Sequence, residues 1–197
     1  MGGVIHPYIV AARNLKIETL GGKVVIPPNS PVGLMKIGFH TSGIVDKKLE
    51  RSMWQNSGEI VFDGPASFGS GVRISNSGTL MFGSNVCVTA NTEIVCHKKI
   101  KIGSDCLFSW DILIMDTDFH NIYSRDRTLS EPINISEGIE IGKHTWMGCR
   151  CLVLKNTKIP ANTVVAAGST IAKSSFEKEY TVITSDRVLK DNVEWRK

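Results

Sequence analysis

Residues 112–123 read ILIMDTDFHNIY, an apolar run that ends in Asp-x-Asp-x-His. Histidine is the side chain that ordinarily changes charge near neutral pH, so His120 could act as a general base toward a hydroxyl nucleophile. A carboxylate beside it would fix its tautomer and support the imidazolium, and Asp118, Asp116 and Asp111 are the candidates from this stretch. Alternation along an extended segment puts residues 116, 118 and 120 on one side, which favours Asp118. The same residue types could also bind a metal, or simply cap a polar turn.

The cysteines limit the metal reading. Cys87, Cys96, Cys106, Cys149 and Cys151 form no CxxC pair and are odd in number, so neither a disulfide framework nor a structural zinc site is expected. This cysteine usage suits a reducing cytoplasm. The net charge of +4 comes from scattered basic residues without a basic stripe, which argues against nucleic-acid binding but permits an anionic small molecule. No apolar run approaches the roughly 18 residues of a membrane helix, and MGGVIHPYIV does not read as a signal peptide.

The elements that must position His120 show up as a repeat. From Ile141, apolar residues recur every six positions as Ile141, Met147, Val153, Ile159, Val165 and Ile171. Short residues stand four places after the first five: Thr145, Cys151, Thr157, Thr163 and Ser169. Neither a helix nor an alternating strand has period six. Earlier triplets, Phe62/Phe68/Ile74, Phe82/Val88/Ile94 and Ile102/Phe108/Ile114, start 20 residues apart, so each coil of 18 carries two extra residues at a corner. Six residues make a short strand and a turn, and three such units close a triangular coil. Coils stacked about 4.8 Å apart pair every strand with the coils above and below. The fold is therefore expected to be all-β, a parallel β-helix, with the anchors inside and Cys106 and Cys151 as packed thiols.

The expected layout is an N-terminal lead-in over 1–31, the β-helix over 32–173, and a C-terminal strand and tail over 174–197. KEYTVIT reads as a strand, and SDRVLKDNVEWRK as a polar tail or short helix. After Ile114 the next clean anchor is Ile141, a gap of 27 where six would continue the coil. Residues 115–140 must therefore leave the solenoid and return. Long loops inside regular folds are usually functional. Phe119, Ile122, Tyr123 and Leu129 make this one apolar enough to pack on something.

The hexapeptide pattern resembles the left-handed β-helix acyltransferases, and the left hand is taken from that resemblance. WDILIMDTDFHNI in particular resembles capsular-polysaccharide O-acetyltransferases, near the galactoside and maltose enzymes of the same superfamily. The resemblance implies an acetyl-CoA-dependent O-acetyltransferase acting on a saccharide hydroxyl in polysaccharide biosynthesis. It also implies a cytoplasmic homotrimer with active sites between subunits, and no metal. His120 becomes the general base, with Asp118 orienting it and Asp111 and Asp116 near the acceptor. Asn91, in VTANTEIV, matches an Asn that contacts the acceptor and stabilises the oxyanion. HTWMGCRCLV resembles the family's Val-Trp-Ile-Gly segment, which puts Trp146 near the pantetheine arm and Gly148 and Cys149 near the thioester. VVAAGSTIAK resembles its Ala-Gly-Ser-x-x-x-Lys segment, with Ala167 and Lys173 on coenzyme A. The usual Gly-x-Pro-Ala-Arg is replaced by VITSDRVLK, where Arg187 and Lys190 stand for its basic residues.

Two other functions fit the fold. A γ-class carbonic anhydrase would need three His ligands, for which the chain offers His97, His120 and His144, but no two histidines stand five apart as in that enzyme's His-x4-His pair. A non-enzymatic β-helix scaffold has no need for His120, Asn91, Trp146 and Lys173 together.

Overall fold

The computed structural model describes residues 8–39, 42–46, 48–125 and 131–196. They form a left-handed parallel β-helix of three sheets, here called A, B and C, with no helix among them. The chain visits A, B and C in turn, and each strand pairs in parallel with those one coil away. One triplet shows how the sequence produces this. Glu59–Phe62 lies in sheet C, Ala66–Ser70 in sheet A and Arg73–Asn76 in sheet B, each with one anchor pointing inward. Residues alternate in and out along these strands, which turns a six-residue period into a continuous interior.

The anchors from Phe62 to Ile171 named above are each at most 1% exposed. Register stacks them into three ladders, such as Phe62–Phe82–Ile102–Ile141–Ile159 in sheet C. Phe62 and Phe82 stack at 5.1 Å, and Phe68 meets Phe82 edge-on at the same distance. The short residues fill the corners beside them: Thr145, Cys151, Thr157, Thr163 and Ser169 are all buried. Burial pushes the Cys151 thiol up and leaves it inert, as packed thiols should be. At the C-to-A corner Asn85, Asp105, His144 and Asn162 all take positive φ, a conformation that Asn and Asp tolerate better than bulkier residues.

The solenoid starts earlier than the anchors suggest. Ile9–Ala11, Lys16–Thr19 and Lys23–Val25 pair in parallel with the next coil, so the expected lead-in supplies a strand to each sheet. A terminal coil has a neighbour on one side only and needs few apolar anchors, and an insertion between Met35–Ile37 and Met53–Asn56 breaks the count.

The tail also departs from expectation. Val188–Asp191 is neither helix nor loose tail but an antiparallel edge strand on Thr181–Ile183, and Thr184 N–H donates to Arg187 O (2.9 Å) in the connecting turn. Its polar composition is that of an exposed edge, where charge discourages further pairing. Trp195 then folds back onto the C-to-A corner. Its ring stacks on His144 at 4.4 Å, and its Nε1–H donates to His144 O (2.9 Å).

Candidate active site

The corner between sheets B and C is built on buried polar groups. Asn56, Asn76 and Cys96 follow one another in register there, each at most 2% exposed. Asn76 Nδ2 donates to Asn56 Oδ1 (2.7 Å). Asp116 continues the column at 0% exposure and accepts three backbone N–H bonds, from His97 (2.6 Å), Lys98 (2.8 Å) and Lys99 (2.7 Å). A desolvated carboxylate is tolerable only when charge-assisted bonds of this kind replace its water. Burial, together with the Asp116 charge, pushes the Cys96 thiol up to about 12. Asp116 is therefore committed to the backbone of the corner, and an acceptor role for it is corrected by this geometry.

Past Asp116 the chain turns away from the coil, which ends the alternation on which the choice of Asp118 rested. Phe119 takes φ 60° and sets its ring edge-on to His97 at 5.2 Å. Asp118 stays near the surface, and its Oδ2 accepts from Lys155 Nζ (2.6 Å) and Asn134 Nδ2 (2.8 Å). Lys155 side chain is only 8% exposed, and its ammonium also donates to Asn134 O (2.7 Å). The Lys155 bond, then the Asn134 bond, hold the Asp118 carboxyl below the usual carboxylate range. Asn134 in turn donates to His120 O (2.9 Å) and accepts from Ile122 N–H (2.6 Å), so the outgoing and returning arms of the loop are zipped together.

His120 is exposed at the tip of this clamp, bound through its backbone, with its N–H donating to Asp118 O (2.7 Å). The Asp118 carboxylate faces Lys155 and not the imidazole. Spacing along the sequence does not single out Lys155 and Asn134, because their partners lie far along the chain. A lysine at an inward-facing register position, in LVLKN, was the available signal.

Asn91 lies at the other end of sheet B, at the A-to-B corner. Six residues from 91 to 97 span roughly 20 Å of extended chain, so one chain does not bring Asn91 and His120 together. Asn91 and Asp111 line a charged cleft of about 510 Å³ with Glu50, Arg73 and Arg150. Arg150 Nε lies 3.9 Å from Asp111 Oδ2. Asn91 Oδ1 is buried without a hydrogen-bond partner among the described residues and packs on Gly71, where a Cβ would come within 1.9 Å of it. The glycine is needed both for that approach and for its φ of +75°.

The cofactor candidates divide between faces. Gly148 sits under Ala167, and a Cβ on it would meet Ala167 N at 2.6 Å. Gly148 N–H is taken by Val165 O (2.9 Å), whereas the amides of Cys149 and Ala167 make no hydrogen bond among the described residues. Two stacked free amides at one corner fit the polar end of a thioester donor. Trp146 stands on the outer face of sheet A, 39% exposed, with Nε1–H donating to Ser109 Oγ (3.4 Å) and the Trp195 ring 6.2 Å away. Trp195, missed within a tail that reads as polar, completes this aromatic face. Lys173 is exposed on the B-to-C corner, near Asp118, and Arg187 is exposed in the terminal turn. No group of three metal-ligating side chains occurs among the described residues, and His144 is occupied by Trp195.

No protein-family profile matches the chain. A polysialic acid O-acetyltransferase of Neisseria meningitidis is 39% identical over 67 residues, a match that spans 33% of this chain and 30% of that relative. Two solved structures align along nearly the whole chain. The polySia-specific acetyltransferase NeuO superposes with a TM-score of 0.70 at 16% identity, covering 96% of this chain and 76% of its own. The polysialic acid O-acetyltransferase OatWY superposes with a TM-score of 0.62 at 22% identity, covering 93% and 91%. The chain has the fold of the polysialic acid O-acetyltransferases.

Proposed function

We propose that the chain is an acetyl-CoA-dependent O-acetyltransferase that modifies a saccharide hydroxyl, with His120 as general base. The observation that carries this reading is the clamp at the loop. A buried lysine and Asn134 fix the backbone on both sides of His120 and leave its ring exposed. The local identity to a polysialic acid O-acetyltransferase supports the same class and makes polysialic acid the first acceptor to test.

Acetyl-CoA supplies an acyl carbonyl already activated as a thioester. A neutral His120 ring nitrogen takes the proton of the acceptor hydroxyl as its oxygen bonds to that carbonyl carbon. The same imidazolium returns the proton to sulfur as the C–S bond breaks, leaving an acetyl ester and free thiol. The free amides of Cys149 and Ala167 are donors for the developing oxyanion, and Asn91, two coils below Cys149 at the same corner, is left to contact the acceptor.

These donors and His120 sit at opposite ends of sheet B, so the reading requires a homotrimer in which one subunit's loop reaches another's A-to-B corner. The outer face of sheet B supports this. Its upper strands Leu113–Met115 and Leu152–Leu154 present Leu113, Met115, Leu152 and Leu154, whereas the strands below present Gln55, Arg73, Ser75 and Glu93. Beside that face, Phe119, Ile122, Tyr123, Ile133 and Ile135 are each more than half exposed in the single chain. Leu129 falls outside the described residues.

The experiment is a thiol-release assay with acetyl-CoA and a panel of oligosaccharides. Acceptor-dependent release supports the reading, and none with any saccharide contradicts it.

A further inference from the structure

Basic residues are scattered along the chain, but their excess is not. Residues 1–51 hold seven Lys/Arg and three Asp/Glu, the whole net charge of +4, and the rest of the chain balances. The three acids are engaged: Glu18 pairs with Lys16, Asp46 Oδ1 accepts from Lys48 N–H (2.8 Å), and Glu50 lies 3.9 Å from Arg73. Arg13, Lys36 and Lys48 are exposed and have no carboxylate in ion-pair contact among the described residues.

The same end of the solenoid exposes apolar side chains at all three corners. Leu20 stands at the B-to-C corner, Val32 at the C-to-A corner, and Phe39, Ile44 and Leu49 in the insertion at the A-to-B corner. Val32, Ile44 and Leu49 are 74%, 70% and 80% exposed. Between Leu49 and Phe119 no large apolar side chain is exposed among the described residues. Ile17 shows why this end is open. It is in register with buried Trp54 yet 41% exposed, because Lys16–Thr19 is the terminal strand of sheet B. Cations and apolar groups are interleaved here. Arg13 and Lys48 share a cleft of about 440 Å³ with Phe39, and Lys36 stands in register beside Val10 on the outer face of sheet A.

We infer that this end of the solenoid docks on an anionic lipid surface, with Phe39, Ile44 and Leu49 entering the acyl boundary and Arg13, Lys36 and Lys48 meeting the headgroup phosphates. A few apolar side chains or a few cations alone attach weakly, and the two together attach stably. A free polyanion would use the cations but leave Val32, Ile44 and Leu49 in water, whereas a bilayer takes both. The extruded loop departs from Leu113–Met115, four strands along sheet B from Lys16–Thr19, so His120 stays on the order of 20 Å from the docked end. The inference is independent of the transfer chemistry and adds where the protein works.

Cosedimentation of the full chain with vesicles tests it, using equal parts phosphatidylglycerol and phosphatidylcholine against phosphatidylcholine alone. Binding is expected on the mixed vesicles only, weakening with added salt. Arg13→Gln/Lys36→Gln/Lys48→Gln should weaken it roughly 10-fold to 100-fold, and Phe39→Ser/Ile44→Ser/Leu49→Ser by a similar factor. Melting temperatures should not change, because all six side chains are exposed. Arg187→Gln/Lys190→Gln/Arg196→Gln removes the same charge near the opposite end and should leave vesicle binding as it is. No vesicle binding by the wild type, equal binding to phosphatidylcholine alone, or an equal loss in the opposite-end variant would overturn the inference. A Gln variant that loses soluble polysialic acid but keeps its vesicle binding would overturn it by assigning the cations to a polymer. A Ser variant whose only change is a smaller mass in solution would overturn it by assigning the apolar corners to a second copy of the chain.

Discussion

Lys155 Nζ and Asp118 Oδ2 lie 2.6 Å apart, one side chain rooted inside the solenoid and the other at the base of the extruded loop. The pairing turns a candidate catalytic carboxylate into a loop anchor. Lys155→Met keeps the buried stem but removes the charge. It is expected to free residues 118–122 and Asn134, seen as faster amide exchange there, and to lower acetyl transfer roughly 100-fold with acetyl-CoA binding retained. Lys155→Arg should recover part of the loss. Unchanged exchange in Lys155→Met would mean that the ion pair does not hold the loop.

The same contact predicts an acid limit. The folded Asp118 carboxyl titrates below its unfolded value, so its contribution to the anchored loop is fully present above roughly pH 3.9 and is lost as pH falls through the lowered folded value. Amide protection of the loop should therefore persist through the ordinary carboxylate range. In Lys155→Met any remaining pH dependence should move up toward that range.

Asp116 carries a different kind of importance. Asp116→Ala removes the acceptor of three N–H groups at the B-to-C corner and should destabilise the chain by about 3 kcal/mol or more, measured by denaturant unfolding. An acceptor-binding residue would instead change KM with stability unaltered.

Thiol chemistry reports the packing directly. With Cys96, Cys106 and Cys151 buried and Cys87 and Cys149 half-buried, a thiol reagent at mildly alkaline pH should modify at most Cys87 and Cys149 in the native protein. Cys96, whose thiol is pushed up to about 12, should react only after unfolding.

Most of the solenoid was legible because each coil must bury one anchor per sheet, and Phe62 through Ile171 state that rule in the open. The edges were not. Lys16–Thr19 and Val188–Asp191 are held by backbone pairing at the ends of sheets, where an apolar pattern is unnecessary. The break after Ile114 located the loop, and the loop located His120. What sequence spacing could not supply was the partner of each polar group. Asp116, Asp118 and His120 look equivalent in DTDFH, yet one is sealed beneath the corner, one is tied to a lysine 37 residues away, and one is left exposed. Positive φ at Phe119 separates Asp118 from His120, and nothing in the residue type announces it.

The central claim is that His120 is the base that moves the acceptor proton. It is tested most directly by comparing His120→Ala with the wild type in thiol release from acetyl-CoA with polysialic acid as acceptor. Because His120 is exposed and its ring makes no hydrogen bond among the described residues, the variant should melt at the wild-type temperature and bind acetyl-CoA equally well. Its transfer rate should fall by roughly 100-fold to 10,000-fold, the span typical of losing a positioned base. Transfer at close to the wild-type rate in a folded His120→Ala protein would contradict the account.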